Sequence, residues 1–369
     1  MMAMSSLCCL LMQVVNNIDM SKYQRQIILP QIGEQGQQKL AEARVLIIGV
    51  GGLGCALLPY LVASGIGKLG IVDGDRVDES NLHRQILFSN KSIGKFKVEE
   101  AQAFLKKQNP SCNITVDTEY LTGKNALQLF EKYDLIVDAT DRIGIRYLIN
   151  DAAVLTGKPF VYGSIHRFEG QVSVFNYNNG PTYRCLFPEA AEVPSCAEAG
   201  VLGTNVGLIG MMQAQEVMKI ILGSGNVLSG ELLIYNTLTA SQHKFQFSKK
   251  ERIKITQEFF DNEYNSDEAA PKPFHVSLLE NYKLIDVRKL DEQPRIQHQN
   301  VFELPLSTFK ENMSQLDKEQ QYLVFCKSGI RAAKAVLILQ ENNFKDVRAL
   351  NEGADEIQKK INSIKVLKC

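Results

Sequence analysis

The chain has 369 residues, 45% of them hydrophobic and 22% charged, enough material for more than one folded unit. Lys plus Arg and Asp plus Glu number 41 each, so the net charge is zero, which argues against nucleic acid or an anionic membrane as a general partner. No apolar run approaches the roughly 18 to 20 residues needed to span a bilayer.

Residues 7–15, LCCLLMQVV, are apolar but have neither a preceding Lys or Arg nor a clear small-residue cleavage site. Residues 1–19 therefore read as a loose extension, with folded structure opening near Met20. Residues 44–50, RVLIIGV, form a short β-branched run ending in glycines, the pattern of a buried parallel strand. A helix over 52–64 and a strand over 69–73 follow, then an amphipathic helix ending at Asn109-Pro110. Strands at 114–116, 135–138 and 160–162, with helices between, complete the pattern of a doubly wound, Rossmann-like α/β sheet. Beyond Gly170 the pattern changes to an antiparallel extension, with strands at 171–177 and 232–236. A long loop (178–203) and a helix over 206–222 separate those two strands. Residues 248–273 are polar, contain two prolines and read as an interdomain linker. The expected domains are thus 20–247 and a smaller α/β unit at 274–369, with strands at 283–286, 322–325 and 347–349.

Gly49, Gly51, Gly52 and Gly54 supply a G-x-G-x-x-G turn between strand and helix, where backbone N–H groups can meet phosphates. Asp73 closes the next strand, placed to accept hydrogen bonds from a ribose. This fingerprint alone indicates an adenosine-containing nucleotide and would suit a dehydrogenase equally well. The next segments add polar and charged groups: Asp75, Asn81, Arg84 and Gln85, then Lys97, then Asp141. Cleaving ATP between its α- and β-phosphates calls for cations and a Mg²⁺-holding carboxylate, tasks that suit Arg84, Lys97 and Asp141. Lys97 opens a helix, where a cation is locally unfavourable, so a phosphate partner is expected there. Arg146 and Asn150 read either as helpers or as a polar helix face.

YQRQIILP, the glycine run, SNLHRQ, GKFKVE, DATDR, EGQVSVF, YRCLFP and CAEAGVLG together resemble the MoeB/ThiF/HesA sulfur-carrier adenylyltransferases over residues 20–247. The resemblance implies a Rossmann-like ATP-binding domain in a homodimer, with Arg25 reaching the phosphates in the partner subunit. It implies nucleotide binding by Gly52, Asp73, Asn81, Arg84 and Lys97, and Mg²⁺ at Asp141. Two departures stand out. Arg142 follows Asp141 where the family usually has Asn, and the family's two zinc-binding C-x-x-C pairs are reduced to Thr182 and Cys185. One thiolate cannot build a tetrahedral site, so no zinc is expected and residues 178–188 must be held by packing and hydrogen bonds.

The eight cysteines include no C-x-x-C pair, which argues against a disulfide framework and for a reducing, cytoplasmic compartment. By the family resemblance, Cys196 stands where several relatives form a covalent link to the carrier, or else is a passive thiol of a carrier-binding loop. Cys326, Lys327, Ser328, Gly329, Ile330 and Arg331 form a loop between strand and helix whose N–H groups, with Arg331, would favour a thiolate or persulfide. With LIDVR and LNEGA, this loop resembles a rhodanese-like domain over 274–369, in which Asp286 and Arg288 read as structural. Together the domains imply ATP-dependent adenylation of a ubiquitin-like sulfur carrier for molybdopterin or thiamine synthesis. Sulfur would come from a Cys326 persulfide, itself charged by a donor such as a cysteine desulfurase. A carrier-binding scaffold without turnover is the alternative, and a nicotinamide oxidoreductase a more distant one.

Overall fold

The computed structural model describes residues 20–188, 200–251, 253–264, 274, 276–326, 329–350 and 352–367. Cys196, Lys327 and Ser328 lie outside the described residues. The chain divides into two units, 1–261 and 262–369. The first holds one eight-stranded sheet in the order β3-β2-β1-β4-β5-β6-β7-β8. Its strands are β1 (Arg44–Ile48), β2 (Lys68–Val72), β3 (Asn113–Asp117), β4 (Leu135–Asp138), β5 (Phe160–His166), β6 (Glu169–Phe175), β7 (Glu231–Asn236) and β8 (Ser241–Gln246). β1 to β5 run parallel, and β5 through β8 pair antiparallel. The main helices of this unit are α1 (Gly33–Glu42), α2 (Gly52–Ala63), α3 (Lys97–Gln108), α4 (Gly123–Phe130), α5 (Ile143–Leu155), α6 (Gly203–Leu222) and α7 (Gln257–Tyr264).

Sheet burial explains the sequence pattern. Val45, Ile47 and Leu69 on the parallel strands are fully covered, hence the near-continuous apolar runs. α2 is apolar all round because helices cover it as well as the sheet: Gly210 of α6 approaches so closely that a Cβ there would sit 2.8 Å from the Leu53 carbonyl oxygen. α6 starts at Gly203, three residues earlier than the sequence suggests, with the Leu202 carbonyl accepting from the Asn205 and Val206 N–H groups. β8 escapes sequence reading because SQHKFQ is an exposed edge strand with no apolar alternation to betray it.

The segment 248–273, expected as a linker, carries α7, and the division between units falls inside that helix. Phe260 on it is fully buried, so α7 is packed structure, with the Phe259 ring 5.3 Å from the Arg184 guanidinium.

The second unit is a parallel four-stranded sheet in the order β10-β9-β11-β12, formed by β9 (Tyr282–Asp286), β10 (Val301–Glu303), β11 (Gln321–Phe325) and β12 (Val347–Ala349). α8 (Ile330–Glu341) and α9 (Ala354–Leu367) belong to this unit. One apolar cluster contains Ala332, Ala335 and Leu339 of α8, and another contains Ala354, Ile357 and Ile361 of α9. Among the described residues no helix is long and apolar enough to cross a membrane.

Candidate active site

The order β3-β2-β1-β4 reverses direction between β1 and β4, and a crevice at such a point is where open α/β sheets bind ligands. A cleft opens there, lined by Gly49, Gly51, Gly52, Asp73, Asp75, Asn81, Arg84, Gln85, Lys97 and Asp141. Tyr120, Leu121, Thr140, Arg142, Ile145 and Arg146 are also on its walls. All ten of the first group were named from sequence. Gly54 is not at the wall, and Arg25 is exposed on a helical turn at Gln24–Ile27 and outside the cleft.

Each side chain is placed by local geometry. Gly49 has φ +99°, and a Cβ there would stand 2.8 Å from the Ala139 carbonyl oxygen, so the turn after β1 fits closely against the end of β4. Gly54 serves packing: its Cβ would fall 2.3 Å from the Gly49 oxygen. Gly51 differs, because a Cβ there meets nothing within 4 Å, and the half-buried turn cradles the space ahead of α2. Asp73 is held by two backbone donors, the Val50 N–H at 2.7 Å and the Asp75 N–H at 2.8 Å. Burial nevertheless raises its pKa, with Lys97 opposing the rise.

Lys97 is buried with its ammonium 2.9 Å from the Asp75 carboxylate. The cation that looked out of place at a helix start is thus compensated within the protein, by an acid on the loop after β2. Burial pushes Asp75 upward, but Lys97, the Tyr120 hydroxyl and Arg142 outweigh it and leave the carboxyl below its ordinary value. Arg84 donates to the Ser80 carbonyl at 3.0 Å, which holds its guanidinium near the cleft. Gln85 is buried, and its Oε1 has no partner among the described residues, an acceptor open to a ligand donor. Asp141 is exposed on the rim.

Arg146, which read as a helper or a polar face, is buried and donates to the Thr140 carbonyl at 3.1 Å. It lies 3.7 Å from Asp138, a fully buried carboxyl raised by desolvation, with Arg146 opposing the rise. Asn150 does not reach the cleft: its Oδ1 accepts from the Tyr183 N–H at 2.7 Å. That bond belongs to the framework around residues 178–188. Thr182 and Cys185 form a reciprocal cap, and the Cys185 sulfur also accepts from the Lys250 N–H at 3.3 Å. Arg184 clasps the buried Asp151 with two bonds of 2.8 and 2.7 Å, and Tyr183 packs among Tyr147, Tyr162, Phe175 and Phe187.

In the second unit Cys326 directly follows β11, fully buried in an apolar cluster with Val324, Ala332 and Ala335. Arg331, assigned from sequence to the cysteine loop, makes a two-pronged pair with Glu292 at 2.5 and 2.9 Å. This pairing holds the Glu292 carboxyl down to about 2. Asp286 is clasped by both Arg288 and Arg295.

Residues 23–254 match the ThiF family, and residues 275–360 match the rhodanese-like domain. The chain belongs to the ThiF family. It is 37% identical over 337 residues to a probable molybdopterin-synthase adenylyltransferase of Gracilaria tenuistipitata, covering 89% of this chain and 95% of that protein. It is 46% identical over 245 residues to the sulfur carrier protein adenylyltransferase of Thermus thermophilus, covering 64% and 90%. The probable adenylyltransferase/sulfurtransferase MoeZ of Mycobacterium tuberculosis is 38% identical over 360 residues, covering 91% and 92%. A crystal structure of E. coli MccB with MccA-N7isoASN superposes with a TM-score of 0.58 over 63% of this chain and 74% of that one, at 20% identity, a likeness of fold.

Proposed function

We propose that this chain uses ATP to adenylate the C-terminal glycine of a ubiquitin-like sulfur-carrier protein, and that its rhodanese-like domain supplies the sulfur. One observation carries the reading: the glycine turn, Asp73, Arg84, Lys97 and Asp141 all face one cleft, in a chain that also has a rhodanese-like domain. The carrier carboxylate attacks the α-phosphorus, the bond to the bridging oxygen breaks, and pyrophosphate leaves. This chain's contribution is positioning and charge: the N–H groups at Gly51 and α2, and the Arg84 guanidinium, offset phosphate charge. The residues fit Mg²⁺ as well, because that ion binds through one or two carboxylates plus substrate phosphates, and Asp141 offers such a carboxylate on the cleft rim. When bound, Mg²⁺ would neutralise charge on the phosphates.

The terminal sulfur of a Cys326 persulfide then attacks the acyl carbon and AMP leaves. Reduction of the resulting acyl disulfide by a thiol releases the carrier thiocarboxylate. The carrier is of the molybdopterin or thiamine kind, the sulfur comes from a persulfide donor such as a cysteine desulfurase, and the setting is the cytoplasm. In a homodimer, Arg25 would reach the partner's phosphates, and Cys196 is the candidate second thiol.

Carrier-dependent ATP–pyrophosphate exchange tests this reading, run with molybdopterin-type and thiamine-type carriers separately. Exchange is expected with one of them, and Arg84→Ala or Asp141→Ala should abolish it. Carrier binding with no exchange would establish the scaffold reading. Cys326→Ser should lose sulfur transfer from thiosulfate, and retention would refute the sulfur assignment.

A further inference from the structure

The proposed ATP reading leaves two wall residues without a task, Tyr120 and Arg142. They come from opposite sides of the cleft: Tyr120 follows β3, Arg142 follows β4, and β2 and β1 lie between those strands. Their side chains meet nonetheless, with the Arg142 guanidinium 5.1 Å from the Tyr120 ring centroid. The Tyr120 ring is fixed from two directions. Its hydroxyl donates to Asp75 at 2.5 Å, and the face of its ring lies against Gly74, where a Cβ would stand 2.9 to 3.0 Å from three ring carbons. Arg142 is exposed, and among the described residues its guanidinium has no ion pair or hydrogen bond.

We propose that Arg142 is the nucleobase platform of this cleft, a planar guanidinium backed by the anchored Tyr120 ring, on which the adenine of ATP stacks. The phosphate end of the cleft is fixed by Gly51 and the start of α2, and the ribose position by Asp73 at the end of β2. The base then points toward β3, where Tyr120, the buried Leu121 and Arg142 form the wall. A guanidinium is weakly hydrated and flat, and it stacks on aromatic faces in a way that a lysine ammonium does not.

The inference rests on the ATP reading, and the experiment separates the two. AMP and ATP dissociation constants are measured by calorimetry for the full chain and for Arg142→Ala, Arg142→Lys and Tyr120→Ala, with thermal unfolding as the check of folding. Base stacking is worth about tenfold or more in affinity. Arg142→Ala should therefore weaken AMP and ATP by the same factor, about tenfold, and Arg142→Lys should recover little. Tyr120→Ala should cost a similar factor, and its combination with Arg142→Ala should cost less than the product of the two. A loss several-fold larger for ATP than for AMP, rescued by Arg142→Lys, would make Arg142 a phosphate contact and overturn the platform. Unchanged affinity in folded Arg142→Ala would overturn it too. Failure of the unaltered chain to bind either nucleotide would refute the ATP reading itself.

Discussion

Removing one arginine should show how much the framework around residues 178–188 contributes to the first unit. Asp151 on α5 is fully buried, and its carboxylate receives the Arg184 Nε and Nη2 at 2.8 and 2.7 Å and the Asn150 Nδ2 at 2.8 Å. Arg184 also covers the Tyr147 ring at 4.7 Å and keeps only 15% of its side chain exposed. Arg184→Met retains most of the apolar stem and deletes the guanidinium, leaving a buried carboxylate short of its countercharge. Breaking such a pair costs roughly 3 to 5 kcal/mol, and partial solvent access at Arg184 places this case near about 3 kcal/mol. For a unit of this size that corresponds to a fall of about 6 to 12 °C in its unfolding temperature. Asp151→Asn should cost less, about 1 to 2 kcal/mol, because the charge left behind is the Arg184 guanidinium, which reaches solvent over 15% of its side chain and stays over the Tyr147 ring, whereas Asp151 is fully buried. Adding Asp151→Asn to Arg184→Met should then recover part of the loss, a sign reversal that only charge burial produces. Differential scanning calorimetry of the four proteins measures all of this, with near-ultraviolet circular dichroism following the tyrosine cluster. A loss below about 1 kcal/mol for Arg184→Met, or a double variant worse than the single, would refute the reasoning. A chelator should leave the unaltered protein's transition where it is.

Two glycines in one turn should separate binding from packing. Gly51→Ala adds a Cβ that meets no protein atom, so stability should hold while nucleotide affinity falls, whereas Gly54→Ala, 2.3 Å from the Gly49 oxygen, should cost about 1 to 3 kcal/mol in urea unfolding. Lys97→Met removes the buried partner of Asp75 and should weaken ATP binding at least tenfold by calorimetry, an order of magnitude for one charge-assisted contact. The Arg331 hydrogen bond depresses Glu292 to about 2 in the folded state. Its contribution is therefore present above the ordinary glutamate pKa of about 4.3 and lost as pH falls toward 2. Glu292→Gln should flatten the stability of the second unit across that acid window, by about 1 kcal/mol for a partly exposed pair. An unchanged acid limb would remove the pair from the account.

Much of the candidate site was legible because its pieces are short and local. The glycine turn, the acid closing β2 and the acid after β4 each sit at a fixed offset from a strand end, and strand ends show in apolar runs. The partners of the charges were not legible. Asp75 stands 22 residues before Lys97, and Glu292 stands 39 before Arg331, each on a loop of its own. Nothing in the local pattern couples such loops, so the Asp75 partner of Lys97 and the Glu292 partner of Arg331 show only in the fold. Tyr120 gave no signal at all, since a tyrosine between a strand and a helix is ordinary until Arg142 is brought across to it.

The sequence by itself determined the order of β1 to β7, the parallel sheet with its antiparallel extension, and the set of groups gathered at the ends of β1, β2 and β4. These follow from hydrophobic periodicity and glycine placement, which act over a few residues. Only the tertiary structure decided which charges neutralise one another, that α7 is packed helix rather than linker, and that β8 completes the sheet edge. Those outcomes depend on desolvation and close approach between segments distant along the chain, and burial of that kind exists only once the sheet has formed.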